Sequence, residues 1–310
     1  MKILVVGAGA TGGYYGGRLA QAGRDVTFLV RERRAAQLRE RGLRITGLGD
    51  DELVEPRLVT AGEIAQPYDL VLLTVKATGL DGAIADLAPA VGPGTVVLPV
   101  LNGMAHLEAL DARFPDAQVL GGVVRILATL TEEGDVRVMA PLAQVRIGPR
   151  GPVTPPALEA VRETLDVPGI EVQPVPDVLA TMWHKWVFIV AAGAVTGLAR
   201  GPVGPIVAAP GGTDFVRDVL AEATAVAEAA GYPVPERETA GSLAMLTEPG
   251  SSFTSSLYRD LVAGQATEAE HLLGDLTRRA RELGVATPLV DLALLQMRVA
   301  EAQRVSGPQV

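Results

Sequence analysis

The sequence contains no cysteine. Disulfides and thiol nucleophiles are thereby excluded, and a zinc site would have to rest on histidine and carboxylate alone. Histidine is itself scarce. His106, His184 and His271 are the only three, none of them spaced as a ligand pair, so no metal is expected. An excess of positive charge is also missing. The formal net charge of −9 disfavours nucleic acid, whose binding needs a basic stripe to displace counterions, and equally disfavours an anionic membrane surface. Any anionic ligand must therefore meet a local patch of positive charge. Long unbroken apolar runs are scarce too. The uncharged run 186–199 is too short to span a bilayer, and the apolar run 3–6 is too short for the core of a signal sequence. The expectation is a soluble, cytoplasmic protein without membrane or nucleic-acid partners.

Two further scarcities single out residues. Among 27 basic residues only Lys2, Lys76 and Lys185 are lysines, and Asn102 is the sole asparagine. A chain that prefers arginine and avoids asparagine makes the remaining lysines and asparagine candidates for chemistry. What is present is globular: 310 residues, 48 % hydrophobic and 20 % charged, enough for two domains.

The first half alternates short apolar runs with helical periodicity. Strands are predicted at 2–7, 25–30, 57–60, 70–76, 95–101, 118–124, 136–139 and 144–148, with helices at 11–22, 32–41 and 80–87. The continuous apolar run "LVLLTVK" suits a strand covered on both faces, whereas Pro99 sits awkwardly inside "TVVLPVL". The second half reads as helices at 177–198, 214–230, 235–246, 267–283 and 288–301. "GPRGPVTPP" (148–156) reads as a loop near the end of the sheet domain, and "GPVGPIVAAPGG" (201–212) as a helix–helix connection. The fold class is therefore α/β, an N-terminal Rossmann domain with a doubly wound parallel sheet (residues 1–174) followed by an all-α C-terminal domain (175–310).

"GAGATG" supplies Gly7, Ala8, Gly9, Ala10, Thr11 and Gly12 directly after the first strand. In that context each glycine answers a separate steric demand. Gly7 permits the tight turn, Gly9 the close approach of a pyrophosphate, and Gly12 the packing of helix on strand. The helix N-terminus adds N–H groups and partial positive charge. The second strand runs into "RERR", led by Arg31 where an acidic residue would favour NAD. An arginine there suits the 2′-phosphate of NADP, although Glu32 follows it. Lys76 and Asn102 end two later strands on the edge where ligands of such sheets bind. Each has a plainer reading, Lys76 as a surface or capping residue and Asn102-Gly103 as a turn dipeptide.

Lys185 lies between the only two tryptophans, Trp183 and Trp186, at the start of a long apolar helical stretch. One reading is a stem that covers apolar surface while its head reaches water. The other is a desolvated ammonium whose pKa is lowered from its ordinary ~10.4, and which stabilises developing negative charge and donates a proton. Glu268 and Glu270 open a later helix, where acids are favoured by the dipole. Ser251, Ser255 and Ser256 are loop or capping candidates.

Taken in order, "GAGATG", Arg31, "VKA" (75–77), "LNGM" (101–104), "MWHKWVF" (182–188), "SSLYRDL" (255–261) and "TEAE" (267–270) resemble the 2-dehydropantoate 2-reductase, or ketopantoate reductase, family over essentially the whole chain. "TRRARELGVATP" (277–288) fits the family's last helices. The resemblance implies NADPH-dependent reduction of a 2-oxo acid to the D-2-hydroxy acid, in pantothenate biosynthesis. It puts the catalytic roles on Lys185 and Glu268 and substrate binding on Asn102 and Ser256. Cofactor contacts fall on the glycine loop, Arg31, Lys76, Asn102 and Glu268. It also allows a homodimer. The chain departs from the family where substrate-reading asparagines are expected, at Ile189, Gly193 and Val203. Two other functions compete: a D-2-hydroxyacid dehydrogenase of the same family on a bulkier apolar acid, and a non-catalytic NADP-binding sensor.

Overall fold

A computed structural model describes residues 1–114, 119–151 and 156–306. The chain forms two compact units, residues 1–101 with 106–178, and residues 102–105 with 179–310. In the first, β1 (Lys2–Val6), α1 (Ala10–Gln21), β2 (Asp25–Leu29) and α2 (Glu32–Arg41) lead to a hairpin of β3 (Leu43–Gly47) and β4 (Asp50–Val54). Then come β5 (Arg57–Val59), β6 (Leu70–Leu73), α3 (Leu80–Leu87), β7 (Val96–Pro99) and α4 (Ala105–Arg113, all but its first residue). β8 (Gly121–Leu130), β9 (Val136–Gly148), α5 (Leu158–Leu165) and β10 (Glu171–Pro174) complete the unit.

The parallel sheet has the order β5-β2-β1-β6-β7. The chain builds outward from β1 to β5, then crosses back to β6, so the direction of winding reverses beside β1. Ligands of such sheets bind outside the strand ends at that reversal. Strand alternation explains the continuous apolar runs. Ile3, Val5, Leu70 and Leu72 enter one core, while Leu4, Val6, Val71 and Leu73 enter another on the opposite face. The predicted strand 70–76 is shorter, Leu70–Leu73; just beyond it the Thr74 N–H still donates to the Val6 carbonyl at 3.1 Å, while its hydroxyl reaches the Gly7 carbonyl of the following loop. Pro99 is the last residue of β7, where the missing donor costs least.

A second sheet, β10-β9-β3-β4 with β8 paired to β9, goes beyond what the sequence pattern predicts. Its β3–β4 hairpin hides in the sequence because only Leu43, Ile45 and Val54 turn inward, while Arg44 and Asp51 pair outside at 2.6 Å. The two strands expected at 136–139 and 144–148 are one, because β8 stays paired along β9 across a bulge between Ile126 and Ala128. Gln118 of the strand expected at 118–124, and 152–155 of the Pro/Gly loop, lie outside the described residues.

The second unit contains α6 (Val178–Leu198, all but its first residue), α7 (Val203–Ala208), α8 (Gly212–Ala229), α9 (Glu236–Leu246) and α10 (Ser256–Val262). A π-helical segment, Glu270–Gly274, runs straight into α11 (Asp275–Glu282), and α12 (Pro288–Ser306) is the last described element. The short helix α7, of 6 residues, falls in the stretch expected as a helix–helix connection, and α10, of 7 residues, where no element was predicted. Helix α6 has 21 residues and passes for a membrane span by length and composition. However, 61 % of its most apolar window is buried, and Trp186, Val190, Ala191, Ala194 and Val195 are wholly enclosed. It is the core helix of its unit.

Candidate active site

The glycine loop has the shape its sequence demands. Gly7 adopts φ +95°, a region side-chain-bearing residues avoid. A Cβ on Gly12 would stand 2.1 Å from the Gly7 carbonyl oxygen and 2.2 Å from Thr74 Oγ1, so only glycine lets α1 approach β1 and β6 this closely. Thr74 braces the turn, its hydroxyl lying 2.9 Å from the Val6 carbonyl oxygen and 3.1 Å from that of Gly7. Gly9 caps α1, and a Cβ there would meet nothing within 4 Å. Open space at the positive end of a helix fits a pyrophosphate. Ala8 is buried, and Ala10 and Thr11 are half-buried in the first turn.

Arg31 caps α2 at the end of β2 and is exposed. Its guanidinium extends over the start of α3, where a Cβ on Gly79 would stand 3.4 Å from Nη2. Lys76, also exposed, caps the short turn Ala77–Gly79 beyond β6. Both cations therefore follow strands adjacent to β1. Arg34 is a residue that sequence reasoning misses. Its Nε donates to the Ala8 carbonyl at 3.0 Å and Nη1 to Gln37 Oε1 at 2.6 Å, while the Gln37 amide donates to the Glu133 carbonyl at 2.6 Å. Arg34 thereby ties the glycine loop to α2 and the β8–β9 turn, and its burial pushes its pKa below the usual arginine value. The signal was the third arginine of "RERR", one helical turn after Arg31.

Within the helical unit, Lys185 occupies the second turn of α6 and is half-buried. Its neighbours are fixed. His184 Nε2 lies 3.1 Å from the Pro233 carbonyl oxygen, and Trp186 Nε1 donates to the Leu272 carbonyl at 3.2 Å. The two indoles, expected to desolvate the ammonium, are both core residues. Their centroids are 4.8 Å apart, Trp183 stacks on Tyr232 at 5.8 Å, and the Arg279 guanidinium lies about equally over both rings (6.0 and 5.9 Å). Arg279 is itself paired with the buried Asp275 at 3.0 Å.

The two acids at the start of the π-helical segment separate. Glu270 is exposed and bidentate to Arg298 (2.6 and 2.9 Å), which holds its carboxyl below the usual range. Glu268 is 8 % exposed and its carbonyl accepts from Leu272 N–H at 2.9 Å. Asn102 belongs to the helical unit although it follows the sheet strand β7 directly. Its carbonyl oxygen lies 2.9 Å from His271 Nε2, a contact the sequence did not announce. The serines divide as well. Ser255 is the buried cap of α10, bonded to Tyr258 N–H at 3.0 Å and to Thr196 Oγ1 at 2.7 Å, whereas Ser256 is exposed at the helix start. Where asparagines were expected, Ile189 is half-buried and Val203 wholly buried. The room beside Gly193 is filled by Leu257, whose Cδ1 would stand 2.7 Å from a Cβ there. Among the described residues no cluster of histidine and carboxylate side chains is placed to hold a metal.

A doubly wound sheet with this cradle, followed by a helical unit, is the architecture of a nicotinamide-dependent oxidoreductase. The family model Ketopantoate reductase PanE/ApbA matches residues 3–152, and that for the Ketopantoate reductase PanE/ApbA C terminal matches 177–301. The uncharacterized oxidoreductase YkpB of Bacillus subtilis is 34 % identical over 98 % of this chain and 100 % of its own. The 2-dehydropantoate 2-reductase of Halobacterium salinarum is 30 % identical over 97 % and 99 %. Among solved structures, a PanE/ApbA family ketopantoate reductase from Ralstonia eutropha superposes with a TM-score of 0.89 at 28 % identity, covering 98 % of this chain and 100 % of that one. D-mandelate dehydrogenase, solved with NADH and anilino(oxo)acetate, shares the fold at 21 % identity with a TM-score of 0.88, covering 98 % and 100 %. The chain belongs to the ketopantoate reductase family.

Proposed function

We propose that the protein reduces a 2-oxo acid to the D-2-hydroxy acid with NADPH in the cytoplasm. The observation that carries the reading is the grouping of Asn102, Lys185 and Glu268 in one compact unit, although they are far apart in sequence and two of them are among the chain's rarest residue types. Gly7 to Gly12 hold the pyrophosphate, and Arg31 and Lys76 supply positive charge for the adenosine phosphate. NADPH supplies the hydride when bound. Lys185 stabilises the negative charge that develops on the carbonyl oxygen and donates its proton there, and solvent reprotonates the amine. Glu268 and Asn102 orient substrate and cofactor, and Ser256 meets the carboxylate.

The substrate is an acid with a branched or aromatic side chain. Ile189 and Val203 offer no hydrogen bonds, and Leu257 occupies the room left by Gly193. Such bonds contribute on the order of 1 kcal/mol each, so two or three missing ones lower kcat/KM for ketopantoate about ten- to several-hundred-fold. A homodimer completes the reading. Leu292, Leu295 and Val299 form one exposed apolar face of α12 that a second copy would cover.

The test is the rate of cofactor oxidation with ketopantoate, 2-oxoisovalerate and phenylglyoxylate, run with NADPH and with NADH, and with product handedness determined by chiral chromatography. Preference for ketopantoate overturns the substrate assignment. Tight NADPH binding without turnover on any 2-oxo acid favours the sensor.

A further inference from the structure

We propose that His271 is a positioning residue for this reduction: its imidazole N–H holds the Asn102–Gly103 turn on the π-helical segment that follows Glu268. The inference rests on the roles assigned above to Asn102, Lys185 and Glu268. The Asn102 carbonyl can only accept, so at 2.9 Å the proton of this bond is carried by His271 Nε2. The turn is tight on the same side. Gly103 has φ +78°, and a Cβ there would stand 3.1 Å from Leu272 Cδ2 and 3.4 Å from both the His271 carbonyl oxygen and Cδ2. Leu272, the next residue, joins the other two groups. Its N–H donates to the Glu268 carbonyl at 2.9 Å, and its carbonyl accepts from Trp186, the residue after Lys185, at 3.2 Å. Two consecutive residues thus touch the backbone of Asn102, the backbone of Glu268 and the neighbour of Lys185. The widened turn is of the kind found at functional sites, where it redirects side chains that a regular helix would aim elsewhere. His271 acts by fixing where the Asn102 side chain starts.

The experiment compares His271→Phe, which keeps a ring and loses the donor, with His271→Gln, which restores an N–H. Amide hydrogen exchange of 103–105 is measured first, without substrate, and is expected to accelerate in H271F and to return towards the parent rate in H271Q. In turnover with the best 2-oxo acid, H271F should lose about five- to tenfold in kcat, the size of one neutral hydrogen bond, with KM for the acid changed less. Its isotope effect with 4-deuterated NADPH should rise as hydride transfer becomes slower relative to release. H271Q should recover most of both. Unchanged exchange in H271F overturns the proposal. So does a kcat loss in H271F that H271Q shares in full, or one that merely follows a drop in Tm. If the parent protein reduces no 2-oxo acid, the functional reading fails, and the exchange data alone decide whether His271 holds the turn.

Discussion

On the proposed function the two units contribute in different physical forms. In the sheet unit the cradle is backbone: Gly7 and Gly12 are dictated by a dihedral angle and by a 2.1 Å approach, and side-chain charge from Arg31 and Lys76 is added only beyond it. In the helical unit the proposed chemistry rests on a few polar groups, Lys185, Glu268 and Asn102, whose backbones or sequence neighbours are bonded to His271 and Leu272. A backbone site fails through sterics, with stability and ligand binding lost together. A side-chain site fails through chemistry, with the fold intact.

Substitutions at the two kinds of site test that contrast. Lys185→Ala should have the largest effect, lowering kcat by roughly 10²–10⁴, as for acid–base groups generally, with NADPH affinity and Tm nearly unchanged. Retained turnover would make Lys185 a structural residue. Gly12→Ala comes next. The Gly7 carbonyl and Thr74 cannot both give way, so stability should fall by about 1–3 kcal/mol, as for overpacked cores, and NADPH binding should weaken with it. If either changes without the other in denaturant and binding titrations, the backbone account is wrong. Arg31→Ala should weaken NADPH roughly ten- to hundredfold, the size of a charge-assisted hydrogen bond, and leave NADH alone. Equal losses would place Arg31 on the part the two cofactors share. Arg298→Ala should matter least, by at most about 1 kcal/mol, because the pair with Glu270 is largely exposed. The sign follows from the lowered Glu270 pKa: the pair stabilises above the unfolded carboxyl value and is lost as pH falls through the folded one. The stability difference between parent and variant should therefore vanish in acid.

What the sequence announced follows the same divide. The parallel strands were legible because both faces are covered and their apolar runs are unbroken, and the glycine loop because its spacing has a steric cause. The β3–β4 hairpin was not, since charges alternate with its few inward residues. Nor was Arg34, whose tie to the Ala8 carbonyl depends on where α2 lies against the loop. In the helical unit the lone lysine and asparagine drew notice through rarity. Their supports, His271 and the Leu272 backbone, are ordinary residues 169 positions from Asn102 and 86 from Trp186. The exposed pair Glu270–Arg298 and the buried Glu268 could not be told apart without burial. Nor was Arg279 legible, which covers both indoles from far along the chain.

The π-helical segment has another meaning, that of an angular offset written into the chain. Residues before it, Glu268 among them, and residues after it, Asp275 and Arg279, are phased as though one extra residue had been spliced between two stretches of α-helix. Removing a residue from 270–274 would let an unbroken α-helix form and turn one stretch against the other by about 100°. Arg279 could then keep its place over the tryptophans, or His271 could keep the Asn102 carbonyl, but a straight helix has no phase that serves both.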